Sequence, residues 1–309
     1  MTPSQPPSLP EKGDLWRTDQ LHAYGLNSRA ILLLVRHGKL VRLRYGCYIR
    51  GAIWEKQSAW VRSRQLIYAH AHGTLTTSAG DFAYSHTSAA RLHRLFLWNV
   101  DDLIHILLRV RPSSERLGKD VRGHTRPFDE ADIVTIGNLR VTSLERTMVD
   151  CAMLFSYKQA LVIMDHALRL GADRALVQAM ADALDGRRGV RNLRKALLNA
   201  DPRSESAGET LCRELFSRLK LPMPEPQVKV RTRAGRHRLD FAWREAKVAL
   251  EFDGEVKYFD YRPTAEVIFQ ERRREKALIE DGWRFVRVEW QQLFREQEFK
   301  NRVLNALRR

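Results

Sequence analysis

Asp240, Glu251 and Asp253 stand inside two runs that otherwise read as buried strands, His237-Arg-Leu-Asp-Phe-Ala-Trp243 and Lys247-Val-Ala-Leu-Glu-Phe-Asp-Gly254. Burying an ionised carboxylate is costly unless it is paired, hydrogen-bonded or bound to a metal. Residues two apart on a strand share a face, so Glu251 and Asp253 project together while Leu250 and Phe252 point the other way. A hairpin turning at Glu245-Ala246 sets Asp240 directly opposite Glu251. Like charges placed so close repel unless a cation lies between them. Three carboxylates on one sheet face suit a hard metal, and Mg2+ (or Mn2+) commonly shares its shell between protein carboxylates and phosphate oxygens. The expected chemistry is attack of an activated water on a phosphodiester. Each acid alone reads as a strand-end residue paired with an arginine. Taken together, with Gly254 ending the strand and Lys257 just beyond, they read as a site. Glu-Ala is not a favoured two-residue turn, and a longer loop is able to shift this register.

Asp240, Glu251-Phe-Asp-Gly-Glu-Val-Lys257, Glu271-Arg-Arg-Arg-Glu-Lys-Ala-Leu278 and Gly282-Trp-Arg-Phe-Val-Arg-Val288 together resemble bacterial domains grouped with very-short-patch repair endonucleases. These belong to the PD-(D/E)xK nuclease superfamily. The resemblance spans 204–309 and implies a restriction-endonuclease-like core: a leading helix, a mixed sheet and Mg2+-dependent cleavage. It implies Asp240 as the central aspartate, Glu251 as the second acid and Glu209 as the acid on the leading helix. Asp253 stands where that family places a lysine. Lysine supplies a compact cationic donor to a phosphoryl group, so Lys257 would have to reach the site from elsewhere on the backbone, or cleavage is weak or absent. On the helix after the hairpin, Ile268, Arg272, Glu275 and Ile279 share a stripe. The charged pair reads either as a border of the metal site or as the wet edge of an amphipathic helix.

The chain of 309 residues is 44% hydrophobic and carries a net charge of +16. Such an excess of cations favours a polyanionic partner. No run is long and apolar enough for a transmembrane helix, and the first residues lack a signal-peptide pattern. Double-stranded DNA is therefore the expected partner, with no membrane. The three cysteines, Cys47, Cys151 and Cys212, are far apart and suggest neither disulfides nor a zinc finger. That usage points to a reducing cytoplasm. Among the ten histidines, His86 and His93 fall on one helix but show no metal-ligand spacing.

Residues 1–13 read as a disordered leader. Thr18–Tyr24 forms a short helix, Gly25-Leu26 a turn, and Asn27 caps a second helix that Gly38 ends. Ile31, Leu34 and Val35 take the inner side of that helix, Arg29, Leu33 and Arg36 the outer. Lys39-Leu-Val-Arg-Leu-Arg44 alternates apolar and basic residues, turns at Tyr45-Gly46 and returns as Cys47-Tyr-Ile49. Pairing about that turn sets Leu43 across from Tyr48 and leaves Arg42 and Arg44 on the other face. This order reads as a winged helix-turn-helix. Lys39, Arg42 and Arg44 are its expected phosphate contacts, and Arg29 and Arg36 address base edges.

Leu26-Asn-Ser-Arg-Ala-Ile31, Leu34-Val-Arg-His-Gly-Lys-Leu-Val-Arg-Leu-Arg44 and Gly46-Cys-Tyr48 resemble the winged N-terminal domain of AbiEi-type antitoxins. The likeness continues more loosely through Ser85–Leu92 and Leu139–Asp150. It implies an autorepressor from a toxin–antitoxin pair, with a cognate toxin as a possible partner. Between these regions Ile104–Leu108 and Leu139–Val141 read as strands, Thr142–Glu145 as a capping box opening a helix, and Arg146 with Asp150 as a structural i, i+4 pair.

The expected fold is α+β multidomain: a winged helix-turn-helix over 14–55, an α/β middle domain over 56–202 and a restriction-endonuclease-like α/β core over 203–309. The expected function is Mg2+-dependent DNA cleavage. A non-catalytic DNA-binding regulator with a degenerate nuclease fold stands as the second reading, and structured RNA as an alternative substrate. One chain fixes neither oligomeric state nor recognised sequence.

Overall fold

The computed structural model describes residues 8–9, 13–74, 82–110, 117–254 and 265–308. Most of the expected leader falls outside the described residues, as does Lys257. The chain is a mixed α/β protein whose described residues form 12 α-helices and three sheets. Contacts divide it into two compact units, Met1–His93 with Asp101–Ser143, and Arg94–Val100 with Leu144–Arg309.

In the first unit β1 (Leu15–Arg17), α1 (Thr18–Ala23), α2 (Ser28–Arg36), β2 (Leu40–Arg44) and β3 (Cys47–Arg50) come first. Asn27 caps α2 by accepting the Ala30 N–H at 3.0 Å. At the other end Gly38 takes φ +68°, and the Gly38 and Lys39 N–H groups bond the Val35 and Leu34 carbonyls. Ile31 and Leu34 are buried with Trp16, Leu21, Leu26 and Leu40, which fixes the outer face of α2 toward solvent. The three strands lie in the order β1-β3-β2. Leu43 is not opposite Tyr48. Arg42 pairs with Tyr48 and Arg44 with Cys47, so a bulge at Leu43 shifts the register between them.

Helices α3 (Gly51–Lys56) and α4 (Ala59–Thr74) lead to β4 (Phe82–Tyr84), α5 (His86–Leu92), β5 (Ile104–Leu108), β6 (Val121–Thr125), β7 (Ile133–Ile136) and β8 (Leu139–Thr142). These five strands make a mixed sheet in the order β6-β5-β4-β8-β7. Tyr84, Ile104, Ile106 and Val141 bury one face against Ile67, Ala89 and Leu92.

The second unit opens with four helices, α6 (Leu144–Leu154), α7 (Tyr157–Arg169), α8 (Arg174–Ala183) and α9 (Val190–Asn199). Helix α10 (Ala207–Arg218) then precedes β9 (Glu225–Thr232), β10 (Gly235–Trp243), β11 (Val248–Asp253), α11 (Ala265–Glu280), β12 (Arg284–Glu289) and α12 (Glu296–Arg308). The sheet order is β12-β11-β10-β9, antiparallel except for the β11–β12 pair, which is parallel and needs the α11 crossover. Residue 202 does not mark a break in packing. Asp165 on α7 accepts bonds from the Asp201 N–H (2.8 Å), Thr210 Oγ1 (2.7 Å) and Arg213 Nη2 (2.7 Å), which binds α7 to α10 across that point.

The β10–β11 turn is longer than two residues, with Lys247 at φ +47°. The ladder nonetheless runs Trp243–Val248, Ala242–Ala249, Phe241–Leu250. These three pairs follow the register expected from the sequence; the ladder ends there, and Asp240 and Glu251 lie just beyond its last pair. Helix α10 lies so close to this hairpin that a methyl group at Gly208 would overlap the Phe252 ring.

Candidate functional site

Three elements carry one acid each into the same region, where Asp240 feels the charge of Glu209 and Glu251 that of Asp240. Ser206 caps α10 by accepting the Glu209 N–H at 3.1 Å, which sets Glu209 in the first turn. Glu209 is buried, and its Oε2 accepts bonds from the Glu205 N–H (2.9 Å) and Gln227 Nε2 (2.8 Å). Asp240 on β10 accepts the Phe252 N–H at 3.0 Å. Glu251 on β11 is 7% exposed, and Arg274 on α11 donates Nη2 to its Oε1. The same guanidinium bonds the Arg238 carbonyl oxygen (3.0 Å) and Glu271 (2.6 Å).

The electrostatics follow from burial and crowding. Asp240 is pushed up to about 6, first by burial and then by the charge of Glu209, with the Phe252 N–H, Arg274 and Arg238 acting against the shift. Glu251 is raised by burial, opposed by Arg274 and reinforced by Asp240. Glu209 is raised by burial against its hydrogen bonds. Carboxylates are hard oxygen donors of the kind Mg2+ or Mn2+ takes, but among the described residues these three acids do not bring three ligand atoms within 4.8 Å of one another. Arg274 already offsets part of the charge on Glu251.

Asp253 does not join the group. It is exposed at the strand end and pairs with Arg287 at 3.3 Å, while Arg287 also reaches Glu275 (3.1 Å) and Glu251 (4.0 Å). Glu275 therefore borders the site through Arg287. Arg274 itself was not singled out from the sequence. Its signal is spacing, because it lies three and four residues before Ala277 and Leu278, both buried, and so shares their face of α11. A cavity of about 380 Å³ lined by Pro222, Met223, Trp243 and Leu307 touches none of these acids.

In the first unit Arg29, Arg36, Lys39 and Arg42 are exposed. Arg42 lies over the Tyr45 ring at 5.1 Å. Arg44 departs from the expected phosphate-contact role. Its Nε and Nη2 grip both oxygens of Asp120, the latter at 2.9 Å, because the bulge at Leu43 separates its course from that of Arg42.

No family model matches the chain. Two Mycobacterium tuberculosis proteins, Uncharacterized protein MT2308 of strain CDC 1551 and Uncharacterized protein Rv2248 of strain H37Rv, are each 26% identical to it over 258 residues. Each alignment covers 82% of this chain and 87% of the relative. Among solved structures, the RV2827C protein of Mycobacterium tuberculosis matches 71% of this chain and 84% of its own, at 15% identity and a TM-score of 0.40. Among the described residues, no helix is long and apolar enough to cross a membrane.

Proposed function

We propose that the chain is a DNA-binding, Mg2+- or Mn2+-dependent endonuclease, with a restriction-endonuclease-like core in the second unit and a winged helix-turn-helix in the first. The observation that carries this reading is the convergence of Glu209, Asp240 and Glu251 from α10, β10 and β11. The element order helix, three antiparallel strands, helix, parallel strand supports it. Asp240 and Glu251, with Glu209 behind Asp240, would hold the ion. Once bound, the ion supplies an activated water and neutralises charge developing at phosphorus.

Arg274 takes the part left open by the missing lysine. Its guanidinium is a permanent cation with a fork suited to phosphate oxygens, and it stands beside Glu251. The Phe252 N–H holds Asp240 in position from the neighbouring strand. On the first unit Arg29 and Arg36 would enter a groove, with Lys39 and Arg42 on phosphates. The test is plasmid nicking with Mg2+ or Mn2+ by the full chain beside an Asp240→Ala control. Nicking by the unsubstituted protein alone supports the assignment. Equal nicking by both rejects it.

The Arg274–Glu251 pair and Asp253 at the lysine position favour one second reading, a non-cleaving DNA-binding regulator of antitoxin type. Metal titration separates the two. Mg2+ binding lost in Glu251→Ala favours the nuclease; DNA binding without measurable Mg2+ affinity favours the regulator.

A further inference from the structure

His86, His105 and His124 come together in the first unit from three different elements. Each offers a ring nitrogen, and these atoms all lie within 4.8 Å of one another. The β5–β6 pairing is parallel and sets His105 beside Arg122, so His124, two residues on, shares that sheet face. His86 opens α5 directly after β4. The Ser85 N–H bonds the His105 carbonyl oxygen at 3.1 Å, and Ser88 Oγ accepts the His105 N–H at 2.8 Å, which ties the start of α5 to β5.

We infer that these three imidazoles form a binding site for a zinc-class divalent cation. Imidazole nitrogen suits Zn2+, Ni2+ and Cu2+ rather than Mg2+. Three histidines with one position left over also make a known arrangement for zinc. The inference is independent of the carboxylate site, which belongs to the other unit and to harder ions.

Four features point to a ligand rather than to packing alone. The Asp101 carboxylate accepts from His105 Nε2 at 3.0 Å. An ionised carboxylate only accepts, so the proton sits on Nε2 and the Nδ1 lone pair faces His124. This is the carboxylate–histidine relay that orients metal-ligating imidazoles. Second, His105 Nδ1 lies 2.9 Å from His124 Nε2. Without metal one proton bridges them; with metal that proton moves to His124 Nδ1, and both facing nitrogens become donors with no net change in charge. Third, His86 and His105 are 1% and 0% exposed, so polar rings are taken out of water here at a cost that a bound ion would offset.

The last feature is backbone strain. His86 has φ +49°, a region where a side chain other than glycine is disfavoured. Such a conformation persists where the surroundings enforce it, and it clusters at functional sites. Here it stacks the His86 ring on His124 with centroids 3.7 Å apart. A packing role for this position alone would be met by an apolar residue in ordinary geometry. The His86 and His124 rings lie 18° from parallel, so one of them must turn before both nitrogens face an ion at about 2.0–2.1 Å.

The test uses the full chain, stripped with a chelator and titrated with Zn2+ against a chromogenic competitor. We expect one ion per chain. His124→Ala should lower affinity by roughly 100-fold or more, and Asp101→Asn by about tenfold, while His22→Ala leaves it unchanged. Circular dichroism reports whether each variant is folded. Absence of stoichiometric Zn2+ binding overturns the proposal, as does unchanged binding in folded His124→Ala. The unsubstituted chain loaded with Co2+ gives a test that no folding defect obscures. Visible bands of a nitrogen-ligated, low-coordinate ion are expected, and an intense near-ultraviolet thiolate band would move the site to a cysteine and overturn the assignment.

Discussion

Asp240 accepts the main-chain N–H of Phe252 at 3.0 Å, so the acid on β10 is fastened to the strand that carries Glu251 one residue earlier. The two carboxylates cannot drift apart without breaking the sheet. Their repulsion is therefore built into the folded state, and pH becomes a means of reading it.

Asp240 titrates near 6 in the folded chain against an ordinary value of 3.8. Between those values the folded state holds a proton that the unfolded chain has released, so stability falls as pH rises, and the deficit is complete above the folded value. Asp240→Asn keeps an oxygen for the Phe252 N–H and removes the charge. Urea unfolding from pH 4 to 8 should show the fall flattened, by on the order of 2 kcal/mol at pH 8. Parallel profiles for the two proteins would contradict the assignment.

Arg274→Ala leaves Glu251 buried without its guanidinium. A loss of about 3 kcal/mol at pH 8 is expected, shrinking toward pH 4 as Glu251 takes up a proton. Adding Glu251→Gln should restore much of the stability. Strictly additive losses in that double-mutant cycle would mean the two groups do not interact.

On DNA, Arg42→Ala is expected to weaken binding to all sequences and to reduce the salt slope by about one. Arg29→Ala should change the preference between sequences. Arg44→Ala should leave the salt slope intact and lower stability by about 1 kcal/mol through loss of the two-bond grip on Asp120. Fluorescence anisotropy across a salt series, with thermal unfolding alongside, distinguishes these outcomes; a reduced slope in Arg44→Ala would return that residue to the phosphate contacts.

What the sequence made legible was local. Alternation of apolar and acidic residues gave the β10–β11 register, and Asn27 with Gly38 gave the limits of α2. The bulge at Leu43 was not legible, because strict alternation there conceals an extra residue, and the fate of Arg44 depends on Asp120 far along the chain. Arg274 required the rotation of α11 against the sheet. The three histidines are a product of tertiary assembly, with one on a helix start and two on neighbouring parallel strands, and no sequence interval announces them. The domain boundary expected after residue 202 falls in a polar stretch, yet Asp165 draws both sides of it into one hydrogen-bonded group.

Gly208 leaves no room for a side chain beside Phe252. Gly208→Ala should lower stability by about 1–3 kcal/mol, as overpacked positions do, and should weaken Mg2+ binding although no acid has changed. Unaltered metal affinity in the folded variant would show that the seating of α10 is irrelevant to the ion. The bare position thus works as a spacer of zero thickness: widening it by one carbon offers a way to tune the gap between Glu209 and Asp240 while preserving every charge in the cluster.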